Sequence, residues 1–280
     1  MLAWPHGKIL SGRPIRGLCF RHKAIAALRK IKMEIIEIKT KIFNRGDSLD
    51  KFIVNNLKNL EEGSVLAITS KIVALSQNRV GLLRDKSKLI KQESKVRIKT
   101  PWADLTLTDD GWGINSGIDE SNSRNELILL PKNPQLEAAR IQKKLSGIFS
   151  LKHLGVIITD TRSVPLRVGT IGRAIGFSGF KALKSYIGKP DLFGRKSRLT
   201  ESNLADALAA MAVLVMGEGD EQIPLVIIKG ATLEFIKVGA KQGPLESLSL
   251  APADDIFAQV FQSTSRESRK QTQQQNHRKS

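Results

Sequence analysis

What this chain lacks narrows its class first. It has one cysteine, Cys19, in 280 residues. A disulfide framework is therefore excluded, and a reducing, cytoplasmic setting is expected. No stretch approaches the ~18 consecutive apolar residues of a membrane span. The four histidines, His6, His22, His153 and His277, are scattered, which leaves no His/Cys zinc site. A bound metal would have to be held by oxygen ligands, which favours Mg²⁺ or Mn²⁺. Neither a Walker loop nor a Rossmann fingerprint is present. Gly169, Gly172, Gly176 and Gly179 punctuate residues 168–180, but no Gly-Lys-Ser/Thr comes after them. These glycines read either as close backbone approach in packed strands or as a wall that admits a flat ligand or phosphate.

What is present is a globular composition, 41% hydrophobic, with a large positive charge. Of the net +18, residues 1–32 carry +8 and residues 263–280 carry +4, which leaves +6 on residues 33–262. The basicity thus belongs mainly to the ends and argues only weakly for nucleic-acid binding. It suits equally an enzyme of phosphorylated or polycarboxylated substrates. Three divisions are expected: a basic N-terminal extension at 1–32, a folded domain at 33–262 and a polar, Gln-rich tail at 263–280 without fixed structure. Met33-Glu34-Ile35-Ile36-Glu37-Ile38 looks like a protein start that opens into a strand. The preceding segment reads as an upstream start chosen in error, a basic arm or an Arg-rich targeting peptide.

The folded part mixes strands and helices without a strict βαβ rhythm, so the expected class is α+β. Strands are expected at 33–41, 64–69, 155–159 and 223–228, and strands with turns over 79–110. Helices are expected from a cap at Asp47 or Ser48 to about Leu60, from Asn133-Pro134 onward, over 201–216 capped by Thr200 and closed by Gly217, and over 252–261. The run Gly155-Val156-Ile157-Ile158-Thr159 ends abruptly at Asp160. A carboxylate there is costly to bury, so it should stand at the strand's end with a partner or a metal. Gly117-Ile118-Asp119-Glu120 and Gly217-Glu218-Gly219-Asp220-Glu221 supply two more acidic tips. Asp119, Asp160 and Glu218 are expected to converge as a hard-cation site. Taken singly, Asp119 reads also as a turn aspartate, Asp160 as a cap, Glu218 as a solvated carboxylate and Lys71 as a surface lysine. Arg167 and Arg195 read as ion-pair partners or substrate clamps. Trp102 and Trp112 read as packing residues or stacking platforms.

In order along the chain come Ile68-Thr69-Ser70-Lys71-Ile72-Val73, Gly117-Ile118-Asp119-Glu120-Ser121-Asn122 and Ile128-Leu129-Leu130-Pro131. Ile158-Thr159-Asp160-Thr161, Gly172-Arg173-Ala174-Ile175-Gly176, Asp191-Leu192-Phe193-Gly194-Arg195 and Leu214-Val215-Met216-Gly217-Glu218 come after them. This ordered set resembles the coenzyme F-420 gamma-glutamyl ligase family over about residues 33–240. The resemblance implies a two-part α+β subunit that forms a homodimer with a nucleotide in its cleft. It implies a ligase that uses GTP, or ATP, and a divalent metal to join L-glutamate to a small carboxylate acceptor through an acyl phosphate. By the same resemblance Asp119, Asp160, Thr161 and Glu218 hold metal. Ser70, Lys71 and Asn122 face the nucleotide, and Lys71 and Asp160 are the catalytic pair. Glu218 stands where the family usually has glutamine. After Asp160-Thr161 the family commonly reads Phe-Gly-Arg-Pro-Trp-Arg, whereas this chain reads Arg162-Ser163-Val164-Pro165-Leu166-Arg167. The family's histidine-containing segment has no counterpart in 86–112. The acceptor therefore stays open between a deazaflavin coenzyme precursor and a folate-like compound. A basic nucleic-acid-binding protein and a catalytically idle relative are the alternative classes.

Because residues 1–32 share no periodicity with the rest, a chain starting at Met33 should fold and bind nucleotide as the full chain does. Melting temperature and nucleotide calorimetry on both forms check this. A large loss of melting temperature would show that the segment is integral.

Overall fold

The computed structural model describes residues 33–123, 125–238, 248–251 and 253–260. The N-terminal segment and the Gln-rich tail lie outside them. Residues 252 and 261 of the helix expected at 252–261 do too; of the rest, 253–257 form turns and a bend and 258–260 are helical.

In chain order the elements are β1 (Glu34–Ile38), α1 (Leu49–Asn56), β2 (Ser64–Thr69), α2 (Ser70–Ser76), β3 (Val80–Leu82), α3 (Lys86–Gln92), β4 (Val96–Lys99), β5 (Asp104–Thr108) and β6 (Gly111–Ile114). They continue with β7 (Glu126–Ile128), α4 (Pro134–Phe149), β8 (Leu154–Ser163), β9 (Thr170–Ser178), β10 (Leu183–Ser185), β11 (Glu201–Asn203), α5 (Leu204–Met216) and β12 (Leu225–Lys229). The fold is a mixed α+β arrangement. Its centre is a five-stranded sheet of order β1-β12-β2-β8-β9. Within it β2 and β8 run parallel, and the other neighbours are antiparallel. Small sheets β3-β7, β4-β5-β6 and β10-β11 lie outside it.

The central strands are apolar on both faces because both faces are covered. Leu66, Ile68, Val156 and Ile158 point to one side and pack with Leu49 and Ile53 of α1 and Ile141 and Leu145 of α4. Val65, Ala67 and Ile157 point to the other and pack with Ala205, Leu208, Ala209 and Ala212 of α5. Full burial of each Leu or Ile contributes roughly 1.5–3 kcal/mol. The Ala-rich face lets α5 lie close to the sheet. At Gly172 of β9 a Cβ would stand 2.6 Å from the Ala209 carbonyl and 2.8 Å from Val213 Cβ, so only glycine lets the helix sit there. Close backbone approach is thus what Gly172 serves.

Several expectations are corrected. The strand at 155–159 does not end at Asp160. It runs to Ser163 because β9 pairs with it past a bulge between Ile158 and Thr159, which sets Asp160 opposite Arg173. The helix expected at 201–216 starts at Leu204, because residues 201–203 are taken by pairing with β10. Its cap is Asn203, whose Oδ1 accepts from the Asp206 amide at 3.0 Å, rather than Thr200. The stretch 79–110 also contains a helix, α3. There Ile90 is buried against Ile118, Leu127 and Leu129, and local packing overrides strand propensity. Ser48 caps α1 as expected. Among the described residues no helix is long and apolar enough to cross a membrane.

Helices α1 and α4 are pinned at their solvent edge by Asp50. It accepts from Arg140 Nη1 and Nη2 at 3.0 and 2.8 Å and from Lys144 Nζ at 2.6 Å. The Arg140 guanidinium, with Lys144 beside it, holds the Asp50 carboxyl below its ordinary value. A lowered acid pKa adds stability above the unfolded-state value, and that stability is lost as pH falls through the folded one. Asp50→Asn should therefore cost about 0.5–1 kcal/mol near neutral pH. The gap from wild type should close as the solution is taken below about pH 4. Urea unfolding across pH checks this, and a gap independent of pH would exclude the charge as its source.

Candidate active site

The parallel pairing of β2 and β8 ends with Thr69 opposite Thr159. The residues just past each threonine therefore emerge at one edge of the sheet. After Thr69 the chain turns at once into α2, which presents Ser70 and Lys71. After Thr159 come Asp160 and Thr161. These residues line a cavity of about 800 Å³ together with Asp119, Glu120 and Asn122 and the loop from Gly217 to Glu221. The structure thus brings Ser70, Lys71, Asp119, Asn122, Asp160, Thr161 and Glu218 to one cavity. Arg167, Arg195, Trp102 and Trp112 do not line it.

Local geometry explains how each is held. Asn115, Ser116 and Gly117 all adopt positive φ. This unusual left-handed run is fixed by the Ser116 amide donating to Thr106 Oγ1 at 2.8 Å and Ser116 Oγ donating to the Ile90 carbonyl at 3.1 Å. Asp119 comes two residues later, and its backbone exchanges hydrogen bonds with Ile128 at 2.9 and 2.8 Å. Its carboxylate accepts from the Ser121 amide at 2.7 Å and pairs with Lys71 Nζ at 2.7 Å. Burial pushes this carboxyl up, but Lys71 and Ser121 outweigh it and leave its pKa below the ordinary value. Lys71 also donates to the carbonyl and hydroxyl of Ser121, each at 3.1 Å. An ammonium has three protons, so Lys71 is saturated by this loop.

Asp160 is the opposite case. It is half-buried and borders the cavity. Desolvation pushes its pKa up to about 6, even though Ser70 Oγ donates to it at 3.0 Å and the Arg162 charge draws it down. Glu218 is exposed and raised above its ordinary value, first by desolvation, with the Asp119 and Glu221 charges adding to it; Thr161 and Lys71 oppose. Asn122 Nδ2 donates to the Gly219 carbonyl at 2.8 Å and so latches the Asp119 loop to the Gly217–Glu221 loop.

The three carboxylates expected to converge do share this cavity, but they are not drawn into one cage. Among the described residues no group of three His, Cys, Asp or Glu side chains is arranged to hold a metal. Asp119 is instead paired with Lys71 at 2.7 Å. The donors that face the cavity are nonetheless hard oxygens: Asp160, Asp119, Glu218 and the Thr161 hydroxyl. They fit Mg²⁺ or Mn²⁺ and exclude soft metals. A cation beside Asp160 would offset the desolvation that raises it.

The sequence reading missed two features. Residues 40–43 line the cavity although they carry no chemical motif. The Asn122 latch has no sequence signal, since its acceptor is a backbone carbonyl 97 positions away.

The family model for F420-0:Gamma-glutamyl ligase matches residues 37–230. The chain belongs to this family. It is 34% identical over 230 residues to the coenzyme F420:L-glutamate ligase of Methanocaldococcus jannaschii, which covers 74% of this chain and 91% of that protein. It is 34% identical over 250 residues to the enzyme of the same name from Methanococcus maripaludis strain C6, covering 81% and 98%. The corresponding Archaeoglobus fulgidus protein is 29% identical over 237 residues, covering 77% and 92%. As a gamma-glutamyl ligase family member the chain carries its cavity wholly inside the matched span. Ser70 through Glu221 all fall within residues 37–230.

Asn122→Ala removes one exposed hydrogen bond and should cost under about 1 kcal/mol of global stability. Amide exchange over 217–221 should quicken while the sheet strands stay protected. Unchanged exchange there would show that the loop is held by other contacts.

Proposed function

We propose that this protein is a nucleotide- and metal-dependent ligase that adds L-glutamate to a small carboxylate acceptor. The observation that carries the reading is that, in a member of this family, Lys71 and Asp160 line one cavity together. The nucleotide is GTP, with ATP the alternative. The acceptor is a deazaflavin coenzyme precursor or a folate-like carboxylate.

The chemistry runs in two displacements. An acceptor carboxylate oxygen attacks the γ-phosphorus, the nucleoside diphosphate leaves, and an acyl phosphate forms. The glutamate amine then attacks the acyl carbon, phosphate leaves, and the nitrogen gives up its proton as the amide forms. Lys71 gives up its Ser121 contacts to hold the phosphoryl oxygens as a point charge. Ser70 orients Asp160 and faces the phosphates, and Asn122 borders the nucleotide. Asp119, Asp160, Thr161 and Glu218 would hold the Mg²⁺ or Mn²⁺, which supplies charge neutralisation to the phosphates when bound. Positioning and electrostatic stabilisation carry most of the rate in such transfers.

The reading includes a homodimer in the cytoplasm. In support, Leu166, Val168, Leu192 and Phe193 stand almost fully exposed, an amount of apolar surface that a second copy would cover.

Nucleotide-dependent incorporation of labelled L-glutamate tests the proposal directly. Asp160→Asn keeps the volume and an acceptor for Ser70 Oγ but makes the ligand neutral. It should abolish turnover, by more than about 100-fold, with the fold intact. Lys71→Met should depress turnover comparably while metal binding persists. Turnover of Asp160→Asn near the wild-type rate would sink the site assignment, because Asn replaces Asp well only in a structural cap.

A further inference from the structure

Arg162 lies two residues past Asp160 on β8, and its side chain runs away from the cavity to a different sheet. Its Nη1 donates to the carbonyls of Asp110 and Trp112 at 3.1 and 2.8 Å, and its Nη2 donates to the Asp110 carboxylate. The guanidinium lies over the backbone of the β5–β6 hairpin. A Cβ at Gly113 would stand 3.4 Å from its central carbon, so the guanidinium packs against the hairpin backbone at van der Waals distance. Arg173, on the neighbouring strand, approaches the same Asp110 carboxylate at 3.6 Å. Burial raises Asp110 and lowers Arg162 from their ordinary values, so this contact is held away from water.

The hairpin it grips leads straight to Asp119. Thr106 Oγ1 donates to the Gly113 carbonyl at 3.0 Å and accepts from the Ser116 amide at 2.8 Å. The left-handed run Asn115–Gly117 comes next, and then Ile118 and Asp119. Several side-chain contacts join the Asp119 segment and its hairpin to the central sheet, Arg173 of β9 near Asp110 among them. Lys71 joins the segment to the end of β2, and Arg162 joins its hairpin to β8. On the functional reading above, Lys71 gives up its Ser121 contacts when phosphate arrives, whereas the Arg162 contacts with Asp110 and Trp112 lie outside that exchange.

We infer that Arg162, anchored on Asp110 and the Trp112 carbonyl, is a positioning residue that fixes the separation of Asp119 from Asp160 during the ligase reaction. It touches no reacting group. Its effect is geometric, and a displacement of about 1 Å can cost on the order of 100-fold in rate.

The inference rests on the proposed activity, so its test carries a second readout. In full-length Arg162→Ala, amide exchange over 113–121 should rise at least about tenfold while 64–69 and 225–229 stay as protected as in wild type. The kcat for glutamate incorporation should fall about 100-fold with a smaller change in the nucleotide KM. Arg162→Lys, which can reach one carbonyl but not the whole set, should fall between. Asp110→Asn, which leaves both carbonyl contacts, should lose less than Arg162→Ala. Exchange over 113–121 that does not change, or that rises equally in β2 and β12, overturns the inference. So does a KM effect without a kcat effect. Should Arg162→Ala fail to fold, Arg162→Lys is read by the same criteria. A wild-type protein without ligase turnover refutes the functional reading, and the exchange pattern then still decides whether the tie exists.

Discussion

The site depends on a single parallel strand pair. Only β2 and β8 run in the same direction side by side in the central sheet. That pairing brings two distant segments together, with Thr69, where β2 ends, beside Thr159, past which β8 runs on to Ser163. Strand C-termini at one edge of a sheet are where chain direction changes and side chains are free to face a cavity. Everything chemical in the cavity is arranged about this point. Ser70 reaches across the pair to Asp160 at 3.0 Å, a contact between residues 90 positions apart that the backbone ladder alone makes possible. The Thr69 amide donates to the Pro224 carbonyl at 3.0 Å and the Thr40 amide to that of Gln222 at 3.0 Å, so the far wall is tied to the same sheet.

Against that arrangement, the acidic loops are held by charge rather than by ladders. Lys71 compensates Asp119 and spends its remaining protons on Ser121. Asp160 has the Ser70 hydroxyl, the Thr161 amide and a more distant guanidinium instead, and these do not outweigh the desolvation that raises its pKa. One cavity therefore contains an acid that is already satisfied and one that is not. The two aspartates thus sit in different electrostatic settings even though both face the same space.

Much of this was legible in the sequence. The apolar runs at 64–69, 154–159 and 225–228 are uninterrupted because both of their faces are covered. That makes them easy to find but silent about pairing order. The acidic tips were visible because a carboxylate closing a β-branched run is costly unless something meets it. The mixed α+β class came from element order. What stayed hidden depends on tertiary contact. Asp160 turned out not to end its strand, because the partner that extends it, β9, arrives past a bulge. Helix α5 started late because β10 claims residues 201–203. Arg162 looked only like a departure from the family pattern, since its partners are mostly backbone carbonyls, and a carbonyl carries no residue signature.

The close seating of α5 has a mechanical consequence. The helix rests on small side chains, Ala205, Ala209 and Ala212, and above Gly172, where there is no room to spare. Its thirteen residues span about 20 Å as a stiff rod. At its far end Gly217 opens the loop that carries Glu218 into the cavity wall. A methyl group added beneath Ala209 is expected to push on this rod, so packing volume on the buried face of the sheet bears on the position of the cavity-lining loop that begins at Gly217.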